Sequence, residues 1–163
     1  MVVRMSRSSY SPEEIAAIEE YSSEFLDAAR YGELDDLKLM WEHPRLRELI
    51  DFKSLVEEET QTSPLMFACA NGHLDCVEFL VETVQSDINH QNINGNTALH
   101  WSALNGHSPC VEFLISKGAN VLIENTFQRT PFDEAMTRDK KECCEILVQE
   151  EVRLAKQDSV EDS

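Results

Sequence analysis

Two pairs of side chains have the types and spacing that covalent or metal chemistry could use. His107 and Cys110 are three residues apart, as a base and a thiol nucleophile could be, and Cys143 and Cys144 are adjacent. Adjacent side chains on a helix point about 100° apart, so these two thiols are poorly placed to share a metal ion. The sequence contains no glycine-rich phosphate loop, no H-E-x-x-H and no G-x-S-x-G. We therefore expect a protein that is not an enzyme, with no cofactor and no catalytic or metal site.

The same cysteines belong to a repeated pattern. Residues 95–114, GNTALHWSALNGHSPCVEFL, repeat residues 62–80, TSPLMFACANGHLDCVEFL, after 34 positions, with NGH and CVEFL identical. A further shift of 33 positions reaches RTPFDEAMTRDKKECCEIL, and an upstream shift of 40 reaches EFLDAARYGELDDLKLM. The chain therefore contains four related units, and a repeat of this period is typical of solenoids.

Each unit has the pattern of two short helices joined by a turn. Thr97 can cap a first helix, Gly106 can take the left-handed conformation of the turn, and Cys110, Val111 and Leu114 form an apolar stripe on the second helix. Helices of two or three turns cannot bury such stripes alone, so we expect neighbouring units to stack. Equivalent cysteines, Cys76, Cys110 and Cys143, should then lie one above another.

The third unit resembles the ankyrin repeat, whose pattern G-x-T-P-L-H-x-A, followed by G-H and a helix with paired leucines, is closely matched by GNTALHWSALNGHSPCVEFL. The resemblance implies an all-α solenoid of about four helix-turn-helix repeats, near residues 22–56, 57–91, 92–124 and 125–154. The second unit departs from the pattern at Ser63 and Met66, and the fourth at Gln128, Asp139 and Lys140. The first unit keeps only the helices.

The flanks of the 22–154 repeat domain can also be interpreted. SPEEI combines a serine cap, a proline at the first helical position and Glu14 for a capping box, so a helix should begin near Pro12. This capping helix lies in an N-terminal segment, residues 1–21. Between the first two units, residues 43–60 predict an extra helical turn and an acidic loop. Residues 155–163 have the composition of an acidic disordered tail.

The net charge limits the kinds of partner. The chain has 31 Asp and Glu against 14 Lys and Arg, a formal charge of −17, and no Lys or Arg lies between Lys53 and Lys117. A polyanion repels nucleic acid and anionic lipid, so we expect no direct nucleic-acid or membrane binding, and a basic protein is the natural complement. Solubility alone explains the charge equally well, and it predicts a monomer. The absence of a signal-like or spanning segment and the unpaired cysteines predict a cytoplasmic and nuclear protein.

The ankyrin resemblance also predicts where a partner binds, since these arrays use their turn tips and the exposed side of each first helix. Ile93, Leu104 and Phe127 are apolar at positions that normally face solvent, although scattered surface hydrophobes are the alternative. Trp101 is more simply a core residue. The predicted partner-binding residues are Gln91, Ile93, Asn94, Asn96, Trp101, Leu104, Asn105, Glu124, Thr126, Phe127, Arg129 and Arg138. The same resemblance implies that His100 ties neighbouring turns together.

A small, very acidic chain with about four such repeats further resembles the dedicated chaperones of ribosomal protein S3, the KH-domain protein of the small subunit. That resemblance implies a client that is a basic ribosomal protein, held through an amphipathic helix and kept soluble until 40S assembly in the nucleus. The alternative is a regulatory adaptor, or a stoichiometric inhibitor of a kinase, a transcription factor or a cytoskeletal protein. Binding to a basic client should weaken strongly with salt, whereas a mainly apolar interface should not.

Overall fold

The computed structural model describes residues 10–161, and this part of the chain contains helices and no β-strand. Four helices, α1, α4, α6 and α8, stack side by side as an inner layer, while α2, α5, α7 and α9 form an outer layer behind them. This arrangement confirms the predicted all-α solenoid of four helix pairs. The helices are α1 (Pro12–Tyr31), α2 (Leu34–Glu42), α3 (Pro44–Leu49), α4 (Pro64–Asn71), α5 (Leu74–Glu82), α6 (Ala98–Asn105), α7 (Ser108–Ser116), α8 (Pro131–Thr137) and α9 (Lys141–Glu161).

Every inner helix begins after a hydroxyl side chain. The oxygen of this residue accepts a hydrogen bond from the amide three positions later, which satisfies one of the free donors of the first turn. The capping residues are Ser11, Ser63, Thr97 and Thr130. The capping box predicted from SPEEI is present, because Glu14 in turn accepts from the amide of Ser11.

The predicted capping helix is not a separate element. α1 runs without interruption from Pro12 to Tyr31, so the expected boundary between residues 21 and 22 falls inside one helix. No glycine or proline interrupts the sequence after Pro12, and Ile18 and Phe25, seven residues apart, are both buried on one face of the helix. The first nine residues of the predicted N-terminal segment lie outside the described residues.

The C-terminal end also differs from the prediction. Residues 155–161, expected to belong to a disordered acidic tail, continue helix α9, while residues 162 and 163 lie outside the described residues. No glycine or proline occurs between Lys141 and Glu161, and Arg153 pairs with Glu150 one turn earlier, which supports helix propagation. Among the described residues, no helix, α9 included, is both long and apolar enough to cross a bilayer.

The buried core residues recur at equivalent positions of successive units. Leu80, Leu114 and Leu147 occupy equivalent positions on α5, α7 and α9, and all three are fully buried. Equivalent positions one turn earlier on the same helices are occupied, as predicted, by Cys76, Cys110 and Cys143. Each of these cysteines is at most 1% exposed. The extra helix predicted after the first unit is α3, whose Leu46 and Leu49 join the core.

Candidate protein-binding face

Three loops project beside the inner helices, and we call them finger 1 (residues 57–62), finger 2 (residues 91–96) and finger 3 (residues 124–129). Backbone hydrogen bonds close each finger, for example from the amide of Asn92 to the carbonyl of Asn96 at 3.1 Å. Neighbouring fingers are also joined: the amide of Ile93 donates to the carbonyl of Thr60, and the amide of Thr126 donates to that of Asn94, both at 3.0 Å. The fingers and the inner helices therefore form one continuous surface, the concave face.

Two buried asparagines hold fingers 2 and 3 in shape, and neither was predicted from the sequence. Asn92 Oδ1 accepts from two amides of its own finger, and Asn125 Oδ1 does the same 33 residues later. Asn125 Nδ2 also donates to Asn96 in finger 2 and to the buried carboxylate of Glu134, each at 2.8 Å. The sequence feature that could have revealed them is the recurrence of an asparagine at the same position in two successive units.

His100 links finger 2 to finger 3, as the resemblance implied. It is 1% exposed, its Nδ1 accepts from the amide of Thr97 at 3.1 Å, and its Nε2 donates to the carbonyl of Arg129 at 3.1 Å. These partners assign the neutral tautomer, with the proton on Nε2. Burial lowers the pKa of His100, and the hydrogen bond to the Arg129 carbonyl opposes this effect without cancelling it.

The lowered pKa makes the contribution of His100 to stability depend on pH. Below about pH 6.5 the unfolded chain binds a proton at this residue while the folded chain does not, so protonation favours unfolding. We expect the free energy of unfolding of the wild type to exceed that of His100→Gln by about 2 kcal/mol at pH 7.5. The gap should shrink as the pH falls from about 6.5 towards 5, measured by urea denaturation. A gap that stayed constant over this range would contradict the assignment.

Eight of the twelve predicted partner-binding residues lie in fingers 2 and 3, three lie on α6, and Arg138 directly follows α8. Ile93 is 57% exposed and Phe127 is 69% exposed, although both are apolar. Nine of the twelve are exposed, and the other three, Asn96, Trp101 and Leu104, are partly buried. Exposed apolar side chains at the tips are suited to contact with a partner.

Some of these residues also hold neighbouring repeats together. Gln91 Nε2 donates to the carbonyl of Glu124 in finger 3 at 3.4 Å, and Asn105 Nδ2 donates to that of Ala70 at 2.9 Å. Trp101 packs against the core with part of its ring and keeps the rest accessible. Leu104, Ile93 and Phe127 are therefore the side chains of the predicted set best suited to bind a partner.

The concave face extends further towards the N-terminus than the predicted partner-binding residues do. Phe67 on α4 occupies the place that Trp101 has on α6, and the guanidinium of Arg30 lies 4.1 Å from the centre of its ring. Arg30 also contacts Asp27 at 2.6 Å and Glu57 of finger 1 at 3.8 Å. The 40-residue shift places Asp27 and Arg30 on Phe67 and Ala70, and this was the signal that could have revealed them.

Charge is distributed unevenly along the concave face. Finger 1 carries three consecutive glutamates, Glu57, Glu58 and Glu59, and the neighbouring α1 adds Asp27. At the opposite end, finger 3 carries Arg129 and α8 is followed by Arg138, both exposed. A partner helix with basic residues would therefore meet the most favourable potential beside α1 and finger 1.

The residue pairs that suggested chemistry are used for packing. Burial is the main effect that raises the pKa of both Cys110 and Cys143 to about 11, so neither is a thiolate at neutral pH. His107 Nε2 lies 3.1 Å from the carbonyl oxygen of Ala70, where the ring ties one turn to the preceding inner helix. The geometry gives no support to a His107–Cys110 nucleophile pair.

Stacked helix-turn-helix units with interlocked fingers define a repeat solenoid, a class of protein whose extended concave face binds other proteins. The chain belongs to the ankyrin-repeat family: the model for ankyrin repeats (3 copies) matches residues 25–125 and 65–158. The protein is accordingly a protein-binding module.

Among solved structures, the chain is similar to one in the crystal structure of the yeast ribosomal protein Rps3 in complex with its chaperone Yar1. The TM-score is 0.72 and the identity is 29%, over 80% of this chain and 92% of that chain. In all, 464 solved chains match, so the fold alone does not select a partner. No curated protein matches the sequence.

Proposed function

We propose that this protein is a dedicated chaperone of the small-subunit ribosomal protein S3. It binds a basic amphipathic helix of the newly made client on the concave face and keeps the client soluble until the 40S subunit assembles in the nucleus. The similarity to a chain of the Yar1–Rps3 complex, at 29% identity over most of both chains, carries this proposal. This chaperone function requires the protein to be present in both the cytoplasm and the nucleus.

The charge of the protein suits such a client. Free ribosomal proteins are polycations, and a chain with a formal charge of −17 attracts them at long range and masks their charge once bound. The exposed apolar side chains Ile93 and Phe127, together with Leu104, supply contacts for the apolar side of an amphipathic helix. The interface we propose is therefore electrostatic at the α1 end and apolar at fingers 2 and 3.

The direct experiment mixes the purified full chain with purified yeast Rps3. We expect the two proteins to elute together from a size-exclusion column at about 50 mM NaCl, with affinity at least tenfold weaker at about 500 mM. The chain should also suppress light scattering when Rps3 is diluted into low salt. Serum albumin, another acidic protein, serves as the control and should suppress it much less.

Failure of the two proteins to elute together at low salt would contradict the proposal. Binding that is unchanged by salt would contradict its electrostatic part and would favour the alternative, a regulatory adaptor or stoichiometric inhibitor with a mainly apolar interface.

A further inference from the structure

We infer that the last helix pair carries a second docking surface, separate from the concave face, that binds a cationic amphipathic helix of a partner protein. We call this surface the end face, and it consists of Phe132 and Met136 on α8 and Cys144 and Val148 on α9. The inference goes beyond the proposed function, because that function involves the concave face only.

The four end-face residues occupy repeat positions that the preceding units bury. In each of the three preceding units, the first three of these positions are at most 1% exposed and the fourth packs against the core. In the last unit, by contrast, Met136 is 61% exposed and Val148 is 39% exposed. The equivalent residues, at shifts of 40, 34 and 33, are Phe25, Ala29, Leu37 and Trp41, then Leu65, Cys69, Val77 and Val81, then Leu99, Ala103, Val111 and Ile115.

In the preceding units these positions face the next layer of the solenoid. The rings of Phe25 and Trp41 lie 4.5 and 6.1 Å from the ring of Phe52, in the segment that leads to the second unit. Cys69 on α4 lies close to Cys110 on α7 of the third unit, since burial and the Cys110 thiol both raise the pKa of Cys69. The described part of the chain has no helix after α9, so the end face is a stacking surface without its next layer.

The last unit does not have the polar outer side of a capping repeat. Terminal repeats normally replace apolar residues on that side, because it meets water. Here Met136 stands at the position of Ala103, and Val148 at the position of Ile115, so both positions remain apolar. An exposed apolar cluster of this kind is suited to binding, and the layer that covers its equivalents is helical.

Carboxylates border the end face. Asp139 and Glu145 lie near Cys144, since burial and both carboxylates raise the pKa of its thiol. Glu151 lies near Asp133, and its partial burial and the Asp133 carboxylate raise its pKa. None of these four acids forms a salt bridge with a described residue. Their negative charge is therefore available to a partner.

This border favours a cationic partner over a second copy of the chain. Of the two lysines at the start of α9, Lys140 lies over Gly106 of the preceding unit, which leaves Lys141 on the side of the end face. Two copies would bring the same carboxylates together, and each chain has a formal charge of −17. A helix with an apolar stripe and flanking lysines or arginines matches both the apolar cluster and its acidic border.

A peptide titration tests the end face directly. A designed helical peptide with leucines along one side and lysines on its flanks is titrated into the isotope-labelled full chain. We expect amide shifts at Met136, Cys144 and Val148, whether or not the peptide also binds the concave face. Two control peptides, one with glutamates for the lysines and one with glutamines for the leucines, should bind there at least about tenfold more weakly.

Removal of the apolar contacts should weaken this binding. For Met136→Ser with Val148→Ser, the affinity measured at the Cys144 amide should fall about tenfold or more. The matched control, Leu39→Ser with Leu122→Ser, removes two exposed apolar side chains elsewhere and should change that affinity less than about twofold. Helical circular dichroism should be unchanged in both variants, since all four side chains are exposed.

Removal of the charges gives a second, independent test. Glu145→Gln with Glu151→Gln should weaken binding of the lysine peptide at the end face about fivefold. Glu78→Gln with Glu112→Gln, at the positions equivalent to Glu145 on α5 and α7, makes the same change in net charge and should alter that binding less than about twofold.

Three outcomes would overturn the inference: shifts confined to the concave face, equal weakening by the two charge variants, or equal binding of the glutamate peptide. Sedimentation of the chain alone tests the other occupant. A dimer that is lost in the Met136→Ser, Val148→Ser variant would assign the end face to a second copy and would also overturn the inference. Failure of yeast Rps3 to bind would contradict the proposed function and would not alter these results.

Discussion

Replacement of Gly72 by valine should lower the free energy of unfolding by about 3–4 kcal/mol. Gly72 has a φ of +75°, and a Cβ there would lie 2.5 Å from Nδ1 of His107. The ring cannot retreat freely, because its Nε2 is bonded to the carbonyl of Ala70. Both backbone strain and steric overlap therefore act at this position, and urea denaturation followed by circular dichroism measures their sum.

Gly118 and Gly106 separate these two effects. Gly118 also has a positive φ, but none of the described residues has an atom within 4 Å of a Cβ there, so Gly118→Val should cost only the strain, about 1–2 kcal/mol. At Gly106 the Cβ would meet the flexible side chain of Lys140, so Gly106→Val should fall between the other two. If Gly72→Val lowered the free energy of unfolding no more than Gly118→Val did, the packing of the His107 ring on the preceding turn would not contribute to stability.

The second large effect is on binding. Leu104→Glu combined with Phe127→Glu should weaken capture of yeast Rps3 about 100-fold or more, because two apolar contacts of the concave face are lost together. Phe127 is 69% exposed and Leu104 is partly buried, so the helical circular dichroism should be unchanged and the melting temperature nearly so. A pull-down with measured affinities provides the test.

A control variant that adds the same charge elsewhere shows whether the loss of binding is specific to Leu104 and Phe127. Leu39→Glu combined with Val152→Glu changes two exposed apolar side chains on the outer helices α2 and α9. The same number of negative charges is added, so any general effect of charge on a basic client is matched. Binding that survived the Leu104 and Phe127 changes would place the interface elsewhere on the molecule.

Much of the fold followed from the repeat, because each unit combines a cap, an apolar stripe and a turn. Positions where the repeat's glycine is replaced keep the backbone conformation of that glycine. Gln128 occupies the position of Gly95 in finger 2 and has a φ of 57°, and Asp139 occupies the position of Gly106 after α6 and has a φ of 52°. The stacking of units therefore sets the backbone conformation at these positions, even for residues that disfavour a positive φ.

The two ends of the solenoid were harder to predict. Whether a helix stops depends on tertiary contacts as well as on composition, so the continuity of α1 and the extension of α9 were not apparent from local patterns. Polar α9 residues near the C-terminus resemble those of disordered segments, yet the absence of glycine and proline allows the helix to continue.

The binding face was only partly predicted, for a related reason. Finger tips such as Ile93 and Phe127 follow from alignment of the units, since their position in the repeat is fixed. By contrast, Arg30 of α1 contacts Glu57 of finger 1, about 30 residues further along, across the most divergent junction between units. No local pattern indicates this contact, because it depends on the three-dimensional arrangement of α1 and finger 1.

Hydrogen exchange of the full chain, with and without yeast Rps3, tests the central claim that the concave face binds a basic client. We expect slower exchange on binding in fingers 1 to 3 and in the inner helices α1, α4, α6 and α8, with little change in α2, α5 and α7. Protection confined to the outer helices, or no protection at low salt, would contradict the account.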